Sequence, residues 1–211
     1  ALLSKGAYQV DAYGTYGSRS GLDTTLPDEE SGLRGYIAAT GRYQFNPLWS
    51  ASTSIRYASD RTFLRRYDIS RDDRLRNNVT VERIEGNSYF AIRGWSVQTL
   101  RSSDTQGLVP VALPEIDFRL RLADPFLGGT VKVQANSLAL TRTSGQDTQR
   151  AFASARWDRK WVLPSGQLIT ATGFARTDAY HSDDNSLTNA LYRGEEGWQF
   201  RGIAAAALDV S

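Results

Sequence analysis

The sequence predicts an all-β protein, an antiparallel up-and-down transmembrane β-barrel represented by about ten strands of a larger barrel. Three observations predict it. Apolar and polar residues alternate with period two, most clearly between Gly32 and Trp49, where Leu33, Gly35, Ile37, Ala39, Gly41, Tyr43 and Phe45 interleave with Arg34, Thr40, Arg42 and Gln44. The same alternation returns along the chain, and the connections run long, short, long, short. No apolar run is long enough for a membrane-spanning helix, whereas a barrel strand shows lipid only every second residue.

The first strand is expected from about Ala7 to Gly17, with Tyr8, Val10, Ala12, Gly14 and Tyr16 opposite Gln9, Asp11 and Thr15. A polar stretch from Ser18 to Ser31 follows. The second strand reaches Phe45 and turns over Asn46 and Pro47, a pair suited to turns. In the third, Trp49, Ala51, Thr53, Ile55 and Tyr57 oppose Ser50, Ser52, Ser54 and Arg56. A charged loop, Ser59 to Asp73, leads to a fourth strand from Arg74 to Ile84. The turn Glu85, Gly86, Asn87, Ser88 has residues that tolerate positive φ.

The fifth strand, Tyr89 to Leu100, alternates poorly; Arg93 and Trp95 share a parity, which leaves its facing open. After the connection from Arg101 to Leu113, the sixth strand sets Ile116, Phe118, Leu120 and Leu122 against Glu115, Asp117, Arg119 and Arg121. A short turn spans Asp124 to Gly129. The seventh strand changes phase from Val131, Val133 and Ala135 to Leu138 and Leu140, which predicts a β-bulge near Asn136 and Ser137. Thr143 to Gln149 is expected to be loop. Strand eight covers Arg150 to Trp161, the turn holds Pro164, Ser165 and Gly166, and strand nine carries Ile169, Ala171, Gly173 and Ala175. After a polar loop from His181 to Gly197, the last strand aligns Trp198, Phe200, Gly202, Ala204, Ala206 and Leu208. Every long loop is thus expected at one end and every short turn at the other.

Composition narrows the class. The mean hydropathy of -0.43 is compatible with a barrel, whose strands hide in such an average. Without cysteine there is no disulfide framework or thiolate metal site in this chain. The 25 basic residues are scattered among 23 acidic ones with no basic block, which gives nucleic-acid binding no support. The chain opens on Ala1 and stops within an alternating segment, so it is read as an internal fragment, residues 1–211 forming one partial barrel domain.

Alternation alone fits a soluble barrel greasy inside as well as a membrane barrel greasy outside. The apolar faces are rich in Ala and Gly, which fill a dry core poorly but sit acceptably against lipid tails. The other faces carry Asp, Glu and Arg, as a wet lumen requires. Aromatic residues gather near strand ends at Tyr8, Tyr16, Tyr43, Phe45, Trp49, Tyr57, Trp157, Trp161 and Trp198, the placement of interfacial girdles.

Three stretches are more specific: Ser59 to Ser70 (SDRTFLRRYDIS), Val109 to Phe118 (VPVALPEIDF) and Leu140 to Arg150 (LTRTSGQDTQR). In their order and spacing they resemble the lipopolysaccharide-assembly family LptD, also called organic solvent tolerance proteins. The resemblance covers nearly the whole chain as part of that family's C-terminal barrel. It implies a Gram-negative outer-membrane barrel that takes lipopolysaccharide from a periplasmic bridge protein and inserts it into the outer leaflet, around an LptE-like plug lipoprotein. The periplasmic domain, the seam between first and last strands and the flanking cysteines of the family have no counterpart here, so middle wall strands are expected, not the lateral gate.

Candidate residues follow from the facing. Glu115, Asp117, Arg119 and Arg121 are expected to line the lumen, with Arg34, Arg42 and Arg56 as cross-strand partners. Arg61, Arg65, Arg66, Arg71 and Arg74 among Asp60, Asp68, Asp72 and Asp73 offer two readings: phosphate contact at the outer rim, with Arg61, Arg65 and Arg66 foremost, or a self-paired loop folded over the mouth. His181 beside Asp183 and Asp184 lacks the ligand number of a metal site, and Asp28, Glu29 and Glu30, like Asp183 and Asp184, read as solvated loop acids, the other reading being contact with divalent ions that bridge lipopolysaccharide phosphates. No nucleophilic triad and no carboxylate pair can be assembled, so no catalytic residue, metal or cofactor is expected. The expectation is lipid transport without chemistry. The rivals are a generic porin or receptor wall and an outer-membrane phospholipase or protease, the last requiring Ser or Asp within hydrogen-bond reach of His181.

Overall fold

The structure is a computed structural model that describes residues 2–3, 5–17, 32–184, 186 and 195–211. Its strands are β1 (Leu2–Leu3), β2 (Gly6–Gly17), β3 (Gly32–Gln44), β4 (Trp49–Ala58), β5 (Arg74–Glu85), β6 (Ser88–Thr99), β7 (Val111–Arg121), β8 (Thr130–Thr141), β9 (Asp147–Val162), β10 (Leu168–Asp183) and β11 (Gly197–Val210). They form one open sheet in chain order, each strand antiparallel to the next. Ten long strands match the alternating segments; the two-residue β1 lies outside them. A single α-helical turn, α1 (Phe63–Arg66), interrupts the charged loop.

Register turns the period-two pattern into two continuous faces. Ala12 pairs with Ile37, Ile37 with Tyr57, and Ala39 with Ile55. The apolar row continues through Val81, Ile92, Ile116 and Phe118 to Val133, Ala155, Ala175 and Ala204. The opposite parity carries Arg42, Arg56, Arg93, Asp117, Arg119, Lys132 and Arg156. Arg93 lies opposite Glu115, which assigns the facing that alternation left open in β6: Arg93 and Trp95 belong to the polar face.

The apolar face has almost no cover. Leu33, Phe200 and Tyr16 are 81%, 74% and 74% exposed, and Ile37, Ile55, Val79 and Ile92 share that surface. A contiguous apolar patch of this extent marks a surface meant for lipid or protein, not water. Because strands of this length cross the hydrocarbon layer when tilted, the patch meets the requirement of a membrane wall.

Three expectations need correction. The bulge is not in β8, whose register with β9 runs unbroken from Thr130↔Asp158 to Leu140↔Thr148. It lies in β7, where Leu113 and Pro114 fall between Ala112 and Glu115 in the ladders on both sides. Proline has no N–H for the ladder, and the chain accommodates it by the extra residue. Second, loop length does not sort perfectly by end. The β8–β9 connection shrinks to residues 142–146, because Asp147 accepts from the Arg142 N–H and pairing persists to the loop base, while the opposite-end turn spans 122–129. Third, neither Gly86 nor Asn87 takes positive φ; among the short turns, Leu127, Gly128 and Gly166 do. At the β3–β4 turn, Asn46 Oδ1 accepts from the N–H groups of Leu48 and Trp49, as its sequence suggests.

One compact core exists among the described residues, at the loop end of β3–β5. The β4–β5 ladder stops at Ser54↔Asn78, and above it the strands part. Phe63 and Leu64 of α1 are buried together with Tyr36, Ala58 and Leu75 there. Phe63, Leu64 and Leu75, once removed from water, contribute about 1.5–3 kcal/mol each. The unpaired backbone of β4 finds amide side chains instead: the Arg56 N–H donates to Asn77 Oδ1 at 2.6 Å, and Gln98 both accepts from the Ala58 N–H and donates to its carbonyl. The wall therefore stays polar-satisfied where its ladder is missing.

Candidate functional site: the polar face and its mouth

Arg34 is 6% exposed and its guanidinium grips Asp60 through two hydrogen bonds of 2.8 Å. Asp60 also accepts from the Thr62 N–H and hydroxyl. Burial opposes ionisation of Asp60, but the hydrogen bonds from Arg34 and Thr62 outweigh it and hold the carboxyl well below the usual carboxylate range. This clamp sits beside α1, with the Arg34 guanidinium 5.9 Å from the Phe63 ring centre. Arg56 donates to the Tyr36 hydroxyl at 2.8 Å and to Asp72 at 2.6 Å. Asp72 lies below its ordinary value because of the hydrogen bonds from Arg56 and Ser70.

Neighbouring loops lock to this one. Arg101 donates to Asp73, Arg74 pairs with Asp104 at 3.1 Å, and the Arg61 guanidinium reaches the Asp104 carbonyl. Asp104 is lowered by the hydrogen bonds from Arg74 and Thr99. The Ser144 N–H donates to the Gly107 carbonyl, which joins the 142–146 connection as well.

These contacts revise the expected pairing. The loop is not self-paired: Asp60 and Asp72 are taken by the wall arginines Arg34 and Arg56, and Asp73 by Arg101 of the next loop. Arg65 and Arg66 are exposed on the last turn of α1, with no acid partner among the described residues. Nor do Arg34, Arg42 and Arg56 meet the β7 row, because β5 and β6 stand between β4 and β7. Glu115 pairs with Arg93 at 3.0 Å, and Asp117 with Arg119 at 2.7 Å. Arg42 and Arg121 are exposed without an ion-pair partner among the described residues.

Four ion pairs that the sequence reading passed over have one design. Arg83 and Glu85, Asp117 and Arg119, Arg156 and Asp158, and Arg176 and Asp178 are two residues apart, hence on one face of one strand. That i, i+2 opposition of charge is visible in the sequence itself. His181 stands against Trp198, ring centres 4.8 Å apart, and no serine or aspartate bonds its side chain among the described residues. Asp28, Glu29 and Glu30 fall outside the described residues.

An up-and-down sheet greasy on one face and charged on the other, with its loops knotted at one end, defines the wall of an outer-membrane β-barrel. The family model for LptD, LPS transport system D, matches residues 32–211, and the chain belongs to that family. It is thereby an outer-membrane protein of lipopolysaccharide transport, in a family of lipid transport proteins. No match was found among the curated proteins.

Proposed function

We propose that residues 1–211 form one partial barrel domain whose polar face lines the lumen of the translocon that inserts lipopolysaccharide into the outer leaflet. The observation that carries this reading is the division of faces across β2–β11, which puts the apolar row on one parity and most of the charges on the other; the first is read as facing lipid and the second as facing the lumen. Arg42, Arg56, Glu115, Asp117, Arg119 and Arg121 belong to the lumen wall, as does Arg34 at its mouth. Arg61, Arg65 and Arg66 stand at the outer rim, positioned by the buried face of α1, where guanidinium suits lipid phosphates. An LptE-like plug lipoprotein rests against the polar face, and a periplasmic bridge protein supplies the substrate. The wall orients and conducts; it forms and breaks no covalent bond.

Open sheet edges cannot persist in lipid, where each unsatisfied backbone group costs several kcal/mol. In cells depleted of their own assembly barrel, a full-length protein containing these strands restores surface lipopolysaccharide, and residues 1–211 expressed alone do not. Restoration by the fragment would contradict the assignment of these strands to the wall.

A further inference from the structure

On the polar face near the short-turn end, register sets three cations abreast: Arg121 opposite Lys132, and Lys132 opposite Arg156. Like charges directly opposite one another on neighbouring strands repel, so a sheet has no structural reason to align them. Asp158, which also attracts Lys132, is engaged by Arg156 through both oxygens and by Thr172, and the other carboxylate of the recess, Asp209, stands apart on β11. Arg121 and Lys132 are exposed and have no ion-pair partner among the described residues. All three cations border one open recess of about 900 Å³, whose lining counts four cations against two carboxylates.

Resting on the lumen assignment above, we propose that this row is a binding site for the phosphorylated saccharide of the transported glycolipid. The recess has the size of a small-ligand site. Its lining decides the class of occupant. Besides the charges it offers Thr130, Thr170 and Thr172 hydroxyls and glycine backbone at Gly128 and Gly129, and no aromatic or large aliphatic side chain. A protein partner needs apolar anchors at the centre of its interface, and here Tyr89, Leu120 and Phe174 lie in the adjoining recess that shares the three cations, not in this one. A phosphate-bearing polyol needs hydrogen-bond donors and positive charge, which this surface supplies.

The test uses the full-length protein in cells, with a photoreactive residue at Gln134, one step along β8 from the row, or at Val133 on the opposite face. Gln134 is expected to crosslink to lipopolysaccharide. The yield should fall at least severalfold in the R121Q/K132Q double variant and recover in R121K/K132R, with assembly of the barrel unchanged. With purified full-length protein, lipopolysaccharide stripped of its phosphates should crosslink severalfold less than the intact form. Undiminished crosslinking in the double variant, or with the dephosphorylated glycolipid, overturns the site while leaving the lumen assignment standing. Crosslinks from Gln134 to a lipoprotein alone overturn it in favour of a protein partner. Crosslinks from Val133 but not Gln134 instead overturn the facing itself.

Discussion

The loop end of β3–β5 and the plain wall of β9–β11 are made of the same antiparallel hairpins and held by different forces. In the first, the ladder gives out and side chains take over: Phe63, Leu64 and Leu75 are buried, and a dry Arg34–Asp60 pair ties the loop to the wall. In the second, the β9–β10 register runs unbroken from Leu168↔Val162 to Asp183↔Asp147, and β11 is exposed throughout beyond Gly197. The mouth is a small globular core, sensitive to any one of its residues. The wall is a hydrogen-bonded ribbon whose polar side chains pair within the sheet, as Arg156 does with Asp158 and Arg176 with Asp178, while its apolar ones have little cover from the rest of the chain. Alanine and glycine suffice there because lipid, unlike a protein interior, leaves no cavity behind a small side chain.

That contrast is open to breaking by substitution. The largest effect is expected for Arg34→Ala, which strands a buried carboxylate and should cost the docking of the 59–73 loop about 3–5 kcal/mol. Trypsin cleavage at Arg65 or Arg66 in the full-length barrel reads this out as a large gain in rate. Next comes Ile37→Arg on the bare apolar face, at about 2–4 kcal/mol near the bilayer midplane, against a mild effect for Ser54→Leu. Folding titrations in lipid measure both, and the reverse order would mean that the faces are inverted.

Acid sharpens the mouth specifically. Asp60 is held below its ordinary value when folded, so the released loop binds protons that the docked loop does not. Its contribution is complete above the unfolded value near pH 4 and is lost as pH falls through the folded value. Protection of the 59–73 amides, taken relative to their intrinsic exchange rate at each pH, should therefore stay constant from neutrality to about pH 4 and fall only below it. The smallest effect is expected for Glu115→Gln, which breaks a half-exposed pair with Arg93 and should change stability by about 0.2–1 kcal/mol.

How much of this was legible in the sequence divides along the same line. Wall facing was readable because a ladder forces paired residues to one side, so Ile37, Ile55 and Phe118 carry the pattern without reference to anything distant. The Asp117/Arg119 opposition was readable on the same ground and needed only the spacing to be noticed. The mouth was not. Asp60 stands among the arginines of its own loop, yet its partner is Arg34, 26 residues away, and only the fold brings that wall residue under the loop. The apolar pair Phe63 and Leu64 in a charged stretch was the one local sign of a buried turn. In β8, Leu138 and Leu140 imitate a change of phase because the polar face also takes leucine there, opposite Glu115 and Ala112. The proline that does shift the register lies in β7, and its missing N–H was the better guide.

The central claim is that the charged face meets water and the apolar face meets lipid. Ala39 and Thr40 are adjacent in β3 on opposite faces, with Thr40 exposed opposite Ser54 and Ala39 opposite Ile55. Single cysteines at these positions in the full-length barrel, reconstituted in liposomes on a background otherwise free of reactive thiols, test it most directly. The account predicts that Thr40→Cys reacts with a water-soluble maleimide, while a fluorophore at Ala39→Cys is quenched by nitroxide-bearing lipid. Quenching at position 40 with aqueous labelling at position 39 would contradict it.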